Sequence, residues 1–542
     1  MTTPDEKLYS RLDFGFARFL GERSHLQGES RIRFENLLLQ LSAQQSSGHS
    51  CIALSPEDEA VSKASGLSSS NELTPLIIEQ HRLYLHRYWQ YEQKLAEKLK
   101  ALSNKIFALN EADKLLDCYF PVIDNAIDWQ KQAAKCALTQ GLTIITGGPG
   151  TGKTTTVVKI LALLQETSTS VLHMALAAPT GKAAMRLQES IAKNKAELPC
   201  SPLIKARIPE SVTTLHRLLG PRPFSPYFRH CAEKPLPYDL LVVDESSMVD
   251  LALMSKLVDA LKPGARLILL GDKDQLASVE SGAVLADLTL SLPNQTVELI
   301  KSHRFQGAIK ILADAVNKQQ AEQAWQLLTQ NNNETSLLTD DPIDYIVANY
   351  SHYLQLIKSS ADFLSIFNAF NQFQVLCSNR HGSNAVTDIN QRVEQQLFKL
   401  NKINLSGQWY AGRPIMITAN NPGLQLFNGD VGLCIQDPDS EGQLRVFFFR
   451  GDGSIKKLQP ARIEACETVY AMTIHKSQGS EFENILIILP DHSNPVLSKE
   501  LLYTAITRAK TQVKMISKES VFKTAITHKV QRHSGLAEKL LE

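Results

Sequence analysis

The chain has 542 residues, more than one hydrophobic core usually holds, so about two to four domains are expected. Its 43% hydrophobic and 21% charged residues are typical of soluble globular proteins. The net charge of +1 excludes an overall basic surface for nucleic acid, but a local basic groove stays compatible with it, because steering depends on where the charges lie.

Eight cysteines are scattered along the chain without a C-x-x-C pair or a histidine cluster, which argues against a zinc or iron–sulfur site. Free thiols are typical of a reducing cytoplasm. Residues 1–7 lack the basic-then-apolar pattern of a signal peptide. No apolar run approaches the roughly 18 residues that span a bilayer. The sequence therefore predicts a cytoplasmic protein with no membrane partner.

The first 110 residues carry no catalytic motif and predict a small helical N-terminal domain. Residues 34–41 have helical spacing, and residues 82–85 indicate a strand that runs into a helix at 86–96. Four aromatic residues crowd the second segment: Tyr84, Tyr88, Trp89 and Tyr91. They indicate either core packing or a surface that docks a partner, because aromatic residues also concentrate at interfaces.

The strongest motif lies between a short apolar, β-branched run at 142–146 and a helical pattern at 155–164. It reads G-x-x-x-x-G-K-[ST], the pattern of a phosphate-binding loop. Its glycines allow backbone N–H groups to converge on phosphate oxygens at a helix N-terminus. Lys153 is expected at the β- and γ-phosphates and the Thr154 hydroxyl on Mg²⁺. The predicted nucleotide-binding residues are Gly147, Gly148, Pro149, Gly150, Thr151, Gly152, Lys153, Thr154 and Thr155.

Other segments near this loop are less specific. Gln130 lies about one strand–helix unit upstream, where its amide could read adenine, although a polar helix surface explains it better when it is taken alone. Residues 176–184 repeat the order of strand, turn and helix, with Thr180 as a cap and Lys182 where it could meet a phosphate. The loop at 221–238 mixes basic and aromatic residues, which suits single-strand binding or a solvated loop equally.

Two later apolar runs end in polar side chains. The run at 240–243 ends in Asp244 and Glu245. In a phosphate-loop enzyme the first carboxylate holds Mg²⁺ through water and the second polarises the attacking water, so the pair indicates hydrolysis. Gln275 follows the run at 266–271 and is placed to sense the γ-phosphate. Strands that end in polar loops, with helices between them, predict a parallel, doubly wound sheet with its ligand at the carboxyl edge.

The chain changes character between residues 400 and 466, where Gly and Asn turns separate short β runs. Residues 427–432 have the pattern of a hairpin turn, and the whole segment predicts a β-barrel (SH3-like) insertion. The α/β pattern then resumes. It places Arg508 on a helix whose other face residues are apolar, where a cation needs an anion.

The order and wording of nine blocks resemble the motifs of superfamily 1 DNA helicases, and among them most closely the RecD family. The blocks are GGPGTGKTT, APTGKAA, TLHRLLG, VVDESSMVD, LLGDKDQL, SHRF, NGDVG, TIHKSQGSEF and YTAITRAK. The resemblance runs from about residue 130 to 510. It extends weakly upstream, where RLYLHRYWQYEQKLA is similar to the region of this family that docks on the RecC subunit.

The resemblance implies a fold of two RecA-like motor domains with parallel sheets. The first motor domain is expected at 111–300, and the second at 301–399 together with 467–542. The β insertion is expected at 400–466 and a partner-docking domain at 1–110.

The resemblance also implies roles for single residues. Gln130 would read adenine, and Gln275 would couple the γ-phosphate to DNA. Arg304 and Arg508 would act as arginine fingers from the second motor domain. The remaining ATP-site roles are phosphate and Mg²⁺ binding by Lys153 and Thr154, the Mg²⁺ carboxylate at Asp244 and the catalytic base at Glu245. The residues implied to line the DNA strand are Pro179, Thr180, His216, Thr473 and His475.

For the whole protein the resemblance implies an ATP-dependent 5′→3′ DNA helicase. It would work with RecB-like and RecC-like subunits in a heterotrimer that processes double-strand DNA ends in recombinational repair. Nuclease chemistry is expected in a partner, since this chain shows no separate metal–carboxylate pattern. The alternative is a stand-alone RecD-like helicase, although such helicases carry a longer N-terminal extension than the 146 residues found before the phosphate loop. A regulatory subunit with an incidental ATPase is a third hypothesis, which the intact Asp244–Glu245 pair disfavours.

Overall fold

A computed structural model describes residues 9–70, 74–108, 112–121, 127–278, 280–301, 307–405, 407–450 and 453–542. Four sheets organise these residues, two of them entirely parallel. Within the described ranges, no helix has the length and apolar character needed to cross a membrane.

The N-terminal unit combines helices with a small sheet. Its elements are α1 (Arg11–Gly21), α2 (Gly28–Ser46), β1 (Cys51–Ala53), α3 (Pro56–Ala64), β2 (Ser68–Ser69), β3 (Leu76–Glu79), β4 (Arg82–Leu85) and α4 (His86–Ser103). The strands lie in the order β1-β4-β3-β2. The strand predicted at 82–85 is present, and three strands that were not predicted accompany it in this largely helical unit. The other strands are two to four residues long, too short to show a period in sequence, and are held by pairing with distant partners.

The crowded aromatic residues divide between two environments. Tyr84 and Trp89 are buried together in a small apolar cluster between β4 and α4. Tyr88 and Tyr91 are half-buried and pack against the core of the following α/β unit. The N-terminal unit is therefore joined to its neighbour through one face of α4.

The first α/β unit contains a six-stranded, fully parallel sheet in the order β10-β5-β9-β8-β6-β7. Its elements are α5 (Ala112–Tyr119), α6 (Trp129–Thr139), β5 (Leu142–Thr146), α7 (Lys153–Thr167), β6 (Met174–Ala178), α8 (Gly181–Ala196), α9 (Pro202–Arg207), β7 (Val212–Thr214), α10 (Leu215–Leu219), β8 (Leu240–Val243), α11 (Leu251–Asp259), β9 (Arg266–Gly271), α12 (Val284–Ser291) and β10 (Thr296–Glu298). The central strands are apolar on both faces and buried on both, as covered parallel sheets require.

The second α/β unit is built from two stretches of chain. The first contains α13 (Ala308–Asn317), α14 (Ala321–Thr329), β11 (Thr335–Leu337), α15 (Pro342–Asn349), α16 (Ser351–Lys358), α17 (Phe363–Asn371), β12 (Phe373–Cys377) and α18 (Val386–Lys399). An antiparallel sheet follows, made of β13 (Arg413–Ile417), β14 (Val431–Gln436), β15 (Leu444–Phe449), β16 (Ile455–Leu458) and β17 (Cys466–Thr468). Its order is β16-β15-β14-β13-β17, and it has an apolar core of its own.

The second stretch completes the parallel sheet. It contains β18 (Ala471–Thr473), β19 (Phe482–Ile488), α19 (Lys499–Ile506), β20 (Ala509–Ile516) and α20 (Glu519–Thr527). The strand order is β11-β20-β19-β12-β18, and every pair is parallel. The predicted α/β class with parallel sheets is confirmed, and one large core cluster joins both stretches.

The end of the chain returns to the N-terminal half of the molecule. After α20 the backbone crosses to the first unit, where α21 (Leu536–Leu541) packs on α4 and α12. Leu536 and Leu540 are buried in the core of the first unit. The local sequence does not predict where this segment packs, because its position depends on contacts with distant parts of the chain.

Candidate functional site

All six strands of the first parallel sheet end at one edge, and the phosphate-loop motif lies there between β5 and α7. The predicted strand and helix are both present, and the helix begins at Lys153, two residues before the predicted start. Gly150 and Gly152 adopt φ values of +75° and +83°, a left-handed conformation that favours glycine. The loop therefore turns tightly enough to present its backbone N–H groups at the start of α7.

The side chains of this loop are held by their own backbone. The Lys153 ammonium donates to the carbonyl oxygens of Gly147 (2.6 Å) and Gly148 (3.1 Å). The Thr151 hydroxyl donates to the Gly148 carbonyl at 2.8 Å. From outside the loop, the Gln130 amide donates to the Thr151 carbonyl at 3.3 Å. The glutamine that sequence alone could not distinguish from a surface residue thus contacts the phosphate loop.

Two carboxylates follow β8 at the same edge. The Glu245 backbone N–H donates to the Asp244 carboxylate at 2.8 Å, and Glu245 itself adopts a φ of +50°, which is rare for a residue other than glycine. Burial, together with the negative charge of Glu245, raises the pKa of Asp244 to about 6. A nearby cation, Lys153, opposes this shift. Two carboxylates held this close in a cationic, enclosed site suit the binding of a divalent metal ion.

A buried hydrogen-bond network joins this edge to the second α/β unit. The Gln275 amide donates to Asp272 at 3.0 Å, and its oxygen accepts from the Arg508 guanidinium at 2.5 Å. The Tyr503 hydroxyl, on α19, also donates to Asp272 at 3.1 Å. Burial raises the pKa of Asp272 to about 6. Asp272 and Tyr503 were not predicted; their only sequence signal is that Asp272 follows a buried strand and Tyr503 lies on an apolar helix.

Arg508 is buried, with 2% of its surface exposed. The prediction that it lies on a helix is wrong. Arg508 occupies the turn between α19 and β20, because α19 ends at Ile506. Its other hydrogen bonds go to the neutral carbonyl oxygens of Thr504 (3.1 Å) and Ser480 (3.2 Å). Burial lowers the pKa of Arg508, although a guanidinium stays charged near neutrality.

A cavity of about 710 Å³ brings most of the predicted ATP-site residues together. It lies between the two α/β units, since Gly479, Glu481 and Arg508 of the second unit line it. The predicted residues that line it are Gln130, Pro149, Gly150, Gly152, Lys153, Thr154, Thr155, Asp244, Glu245, Gln275 and Arg508. The donor set of the Thr154 hydroxyl and the Asp244 carboxylate fits Mg²⁺, which prefers oxygen ligands. Arg304 lies outside the described residues.

One ion pair across this cavity was not predicted. The Arg186 guanidinium, on α8, lies 2.7 Å from the Glu481 carboxylate and donates to the Gly479 carbonyl at 2.9 Å. Both partners line the cavity, from opposite units. In sequence Arg186 is one polar residue on an amphipathic helix, so only the packing of the two units distinguishes it from a surface arginine.

The residues predicted to line DNA lie outside this cavity. Pro179 and Thr180 follow β6, and the Thr180 hydroxyl caps α8 by accepting from the Ala183 N–H at 3.2 Å. His216 is exposed on α10. Thr473 ends β18 and accepts from the Lys476 N–H at 3.3 Å, while burial lowers the pKa of His475.

The segments that carry these residues meet at one hairpin of the antiparallel sheet. The Arg217 guanidinium lies 4.4 Å from the centre of the Phe427 ring. The Lys476 ammonium donates to the side chain of Asn428 at 2.6 Å. Lys182 interacts electrostatically with Asp430 of this hairpin, and burial lowers its pKa to about 8. Basic groups of both α/β units therefore converge on residues 427–430.

Comparison with known proteins gives two family matches. Residues 130–281 match a family described as an AAA domain. Residues 468–516 match a family described as a UvrD-like helicase C-terminal domain. The two matches cover the phosphate-loop edge of the first unit and the β18–β20 part of the second.

Curated relatives extend the similarity over most of the chain. The RecBCD enzyme subunit RecD of Mycolicibacterium smegmatis is 41% identical over 84% of this chain and 82% of its own length. The same subunit of Haemophilus influenzae is 37% identical over 87% of this chain and 82% of its own length. The ATP-dependent RecD2 DNA helicase of Deinococcus radiodurans is 30% identical over 85% of this chain but only 58% of its own length. The resemblance in the motifs is thereby confirmed, and the chain belongs to the RecD family.

Proposed function

We propose that this protein is an ATP-dependent 5′→3′ DNA helicase and translocase. It works as a subunit of a RecBCD-type helicase–nuclease that unwinds and processes double-strand DNA ends in recombinational repair. The observation that carries the proposal is the cavity between the two α/β units, with the phosphate loop and Asp244–Glu245 on one side and Arg508 on the other. The polarity rests on the family resemblance.

In the proposed site, Gln130 reads adenine and the loop from Gly147 to Thr155 cradles the phosphates. Lys153 leaves its own loop carbonyls to meet the β- and γ-phosphates. Thr154 and Asp244 hold Mg²⁺, which supplies charge neutralisation at the phosphates when bound. Glu245 acts as the base that orients and deprotonates the attacking water.

ATP hydrolysis drives movement of the two α/β units because residues of both units complete the site. Gln275 senses the γ-phosphate and is joined to Arg508, which with Arg304 stabilises charge on the phosphoryl group. Closure of the units is then favoured only with ATP in place, and repeated closure along a strand produces translocation.

The proposed domain layout follows the sheets. A docking domain occupies residues 1–110, and the motor domains occupy 111–300 and 301–399 with 467–542, except that the last helix of this range, α21, packs on α4 and α12 instead of on the second unit. An SH3-like barrel, formed from the antiparallel sheet, occupies 400–466. The DNA strand runs across Pro179, Thr180, His216, Thr473 and His475, close to the basic groups that surround residues 427–430.

The proposed partners are single-stranded DNA, double-strand ends, and RecB-like and RecC-like subunits, in the cytoplasm. A nuclease site belongs to one of these subunits. The alternative, a stand-alone helicase, has less support: the chain is 41% and 37% identical to the two RecD subunits but 30% identical to the RecD2 helicase. Gel filtration of the native protein separates the two, since elution as a free monomer would favour the alternative.

The proposal is tested by Lys153→Gln in the reconstituted complex. The substitution keeps a polar side chain that is one bond shorter but removes the charge that meets the phosphates. We expect loss of DNA-stimulated ATP hydrolysis and of unwinding on substrates that offer only a 5′-ended single strand. Lys193→Gln, an exposed lysine on α8, is the matched control. Unchanged unwinding by Lys153→Gln on the 5′-ended strand would refute the motor proposal.

A further inference from the structure

The C-terminal segment is anchored first on the second α/β unit. The His528 ring hydrogen-bonds to the Leu497 carbonyl at 2.6 Å, and the His528 carbonyl accepts from the Lys499 N–H at 2.9 Å. The Val530 N–H donates to the Glu500 carboxylate at 3.2 Å. The segment is therefore attached to the start of helix α19, which carries Tyr503 and leads to Arg508.

At Arg532, two residues later, the same segment contacts the first unit. One nitrogen of the Arg532 guanidinium donates to the carbonyl oxygens of Glu280 and Gly282, each at 2.9 Å. The other terminal nitrogen donates to the Ser278 carbonyl. A charged fork that holds three carbonyl oxygens fixes the positions of Ser278, Glu280 and Gly282 relative to Arg532.

The segment is then locked into the N-terminal half of the molecule. The Ser50 N–H donates to the His533 carbonyl at 3.0 Å. The buried Glu92 carboxylate accepts from the Ser534 hydroxyl (3.1 Å) and the Gly535 N–H (3.2 Å). With Leu536 buried beyond them, the segment is anchored on this side by hydrogen bonds and by core packing.

The loop that Arg532 holds directly follows Gln275, the γ-phosphate sensor of the proposed mechanism. At its start the Leu276 N–H donates to the Thr504 hydroxyl at 2.9 Å, and the Leu276 carbonyl accepts from the Gln478 amide at 3.0 Å. At its end the Gly282 N–H donates to the Gly48 carbonyl at 2.9 Å. The loop is thus tied to the second unit, the N-terminal unit and the C-terminal segment together.

We propose that residues 528–535 form a tether that couples movement of the second motor domain to the loop after Gln275, with Arg532 as its positioning residue. The four residue steps from His528 to Arg532 can span at most about 14 Å. Opening of the cavity therefore pulls on Arg532 and on the carbonyl groups to which it is bonded. Closure of the cavity removes this pull. The tether rests on the proposed function, because it sets how tightly DNA-dependent movement and ATP turnover are coupled.

Two variants test the tether in the assembled complex. Arg532→Ala removes the grip on the loop. Insertion of Gly-Ser-Gly-Ser between Val530 and Gln531 keeps every anchor but adds about 13 Å of reach. In both we expect the DNA-stimulated kcat to fall, and the ATP consumed per base pair unwound to rise, by up to about tenfold, because Arg532→Ala removes the hydrogen bonds to the loop and the insertion leaves them in place but makes the connection slack. The KM for ATP should change less than about twofold, because neither change touches the nucleotide cavity.

The controls match each change. Lys529→Ala removes an exposed cation of the same segment, and the same insertion between His381 and Gly382 lengthens an exposed turn of the second unit. Arg532→Lys, which keeps the charge but loses the fork, should recover part of the coupling. Native kcat and coupling in both tether variants, while Lys153→Gln is inactive, would overturn the tether and leave the proposed function standing. Absence of DNA-stimulated hydrolysis in the native complex would overturn both.

Discussion

Glu245 lies two residues after strand β8 and has a left-handed backbone conformation. It lies next to Asp244, whose pKa is raised by burial and by the charge of Glu245. A non-glycine residue at this φ persists only where the surrounding structure holds it, and such residues cluster at functional sites. The strained turn directs two neighbouring carboxylates into one cavity instead of to opposite sides of a strand. The two can then take different roles, one at the metal ion and one at the attacking water.

Glu245→Gln separates these roles. The amide keeps the size of the side chain but cannot accept a proton, so we expect the DNA-stimulated kcat for ATP to fall about 10²- to 10⁴-fold. Binding of a fluorescent ATP analogue should remain, because Lys153 and the loop backbone are intact. Exposed Glu189→Gln, on α8 of the same unit, provides the control. A kcat within about twofold of the native value would show that another group is the base.

At the scale of elements, helix α8 and the turn before β19 form a contact that neither has alone. Arg186 and Glu481 lie 2.7 Å apart across the cavity, and 35% and 15% of their side chains are exposed. The same helix carries a second ion pair, Lys195 with Glu210 at 2.6 Å, that lies within the first unit. The two pairs differ in whether movement between the units breaks them.

A double-mutant cycle exploits that difference. Arg186→Ala, Glu481→Gln and the double variant should show a coupling energy of about 0.5–3 kcal/mol in DNA-stimulated kcat/KM. The cycle with Lys195→Ala and Glu210→Gln should show coupling near zero in the same assay, because that pair does not cross the cavity. Equal coupling in the two cycles would contradict a role for the Arg186–Glu481 contact in closure.

At the scale of the whole molecule, the C-terminal segment covers an acidic group of the first unit. Asp287 on α12 faces Ser534 of the segment, with Glu92 and Glu538 as further carboxylates nearby. Burial raises the pKa of Asp287 from 3.8 to about 7, and one of its oxygens is buried without a hydrogen bond in the described structure. The protonated form of Asp287 therefore predominates in the folded state below about pH 7.

The sign of the pH dependence follows from that shift. A carboxyl group with a raised folded-state pKa contributes stability below its unfolded pKa, and this contribution is lost as the pH rises towards about 7. Asp287→Asn does not titrate, so its unfolding temperature should exceed that of the native protein by about 2 °C or more at pH 8, with the difference shrinking towards pH 5. Calorimetry across this range measures it, with Glu189→Gln as the exposed control. A difference independent of pH would contradict the burial of a titrating Asp287.

The local sequence determined the parts of this protein whose physics is local. Glycines followed by Lys153 and Thr154, two carboxylates after a buried strand, and long β-branched runs predict a phosphate loop, a proposed hydrolytic pair and parallel sheets, because each depends on neighbouring residues. The family followed from the order of such blocks. Short strands such as β1 and β3 could not be predicted from the local sequence, since their stability comes from pairing partners elsewhere in the chain.

Only the tertiary structure decided what depends on distant segments meeting. It moved Arg508 from a helix to a turn against Gln275, paired Arg186 with Glu481, and brought Arg532 from the last residues of the chain onto the loop that follows Gln275. These contacts join residues that no period or spacing relates, because they arise where two folded units and a returning C-terminal segment pack together. The residues proposed to bind a nucleotide can thus be predicted from short motifs, whereas those proposed to couple it to movement become visible only where the units touch.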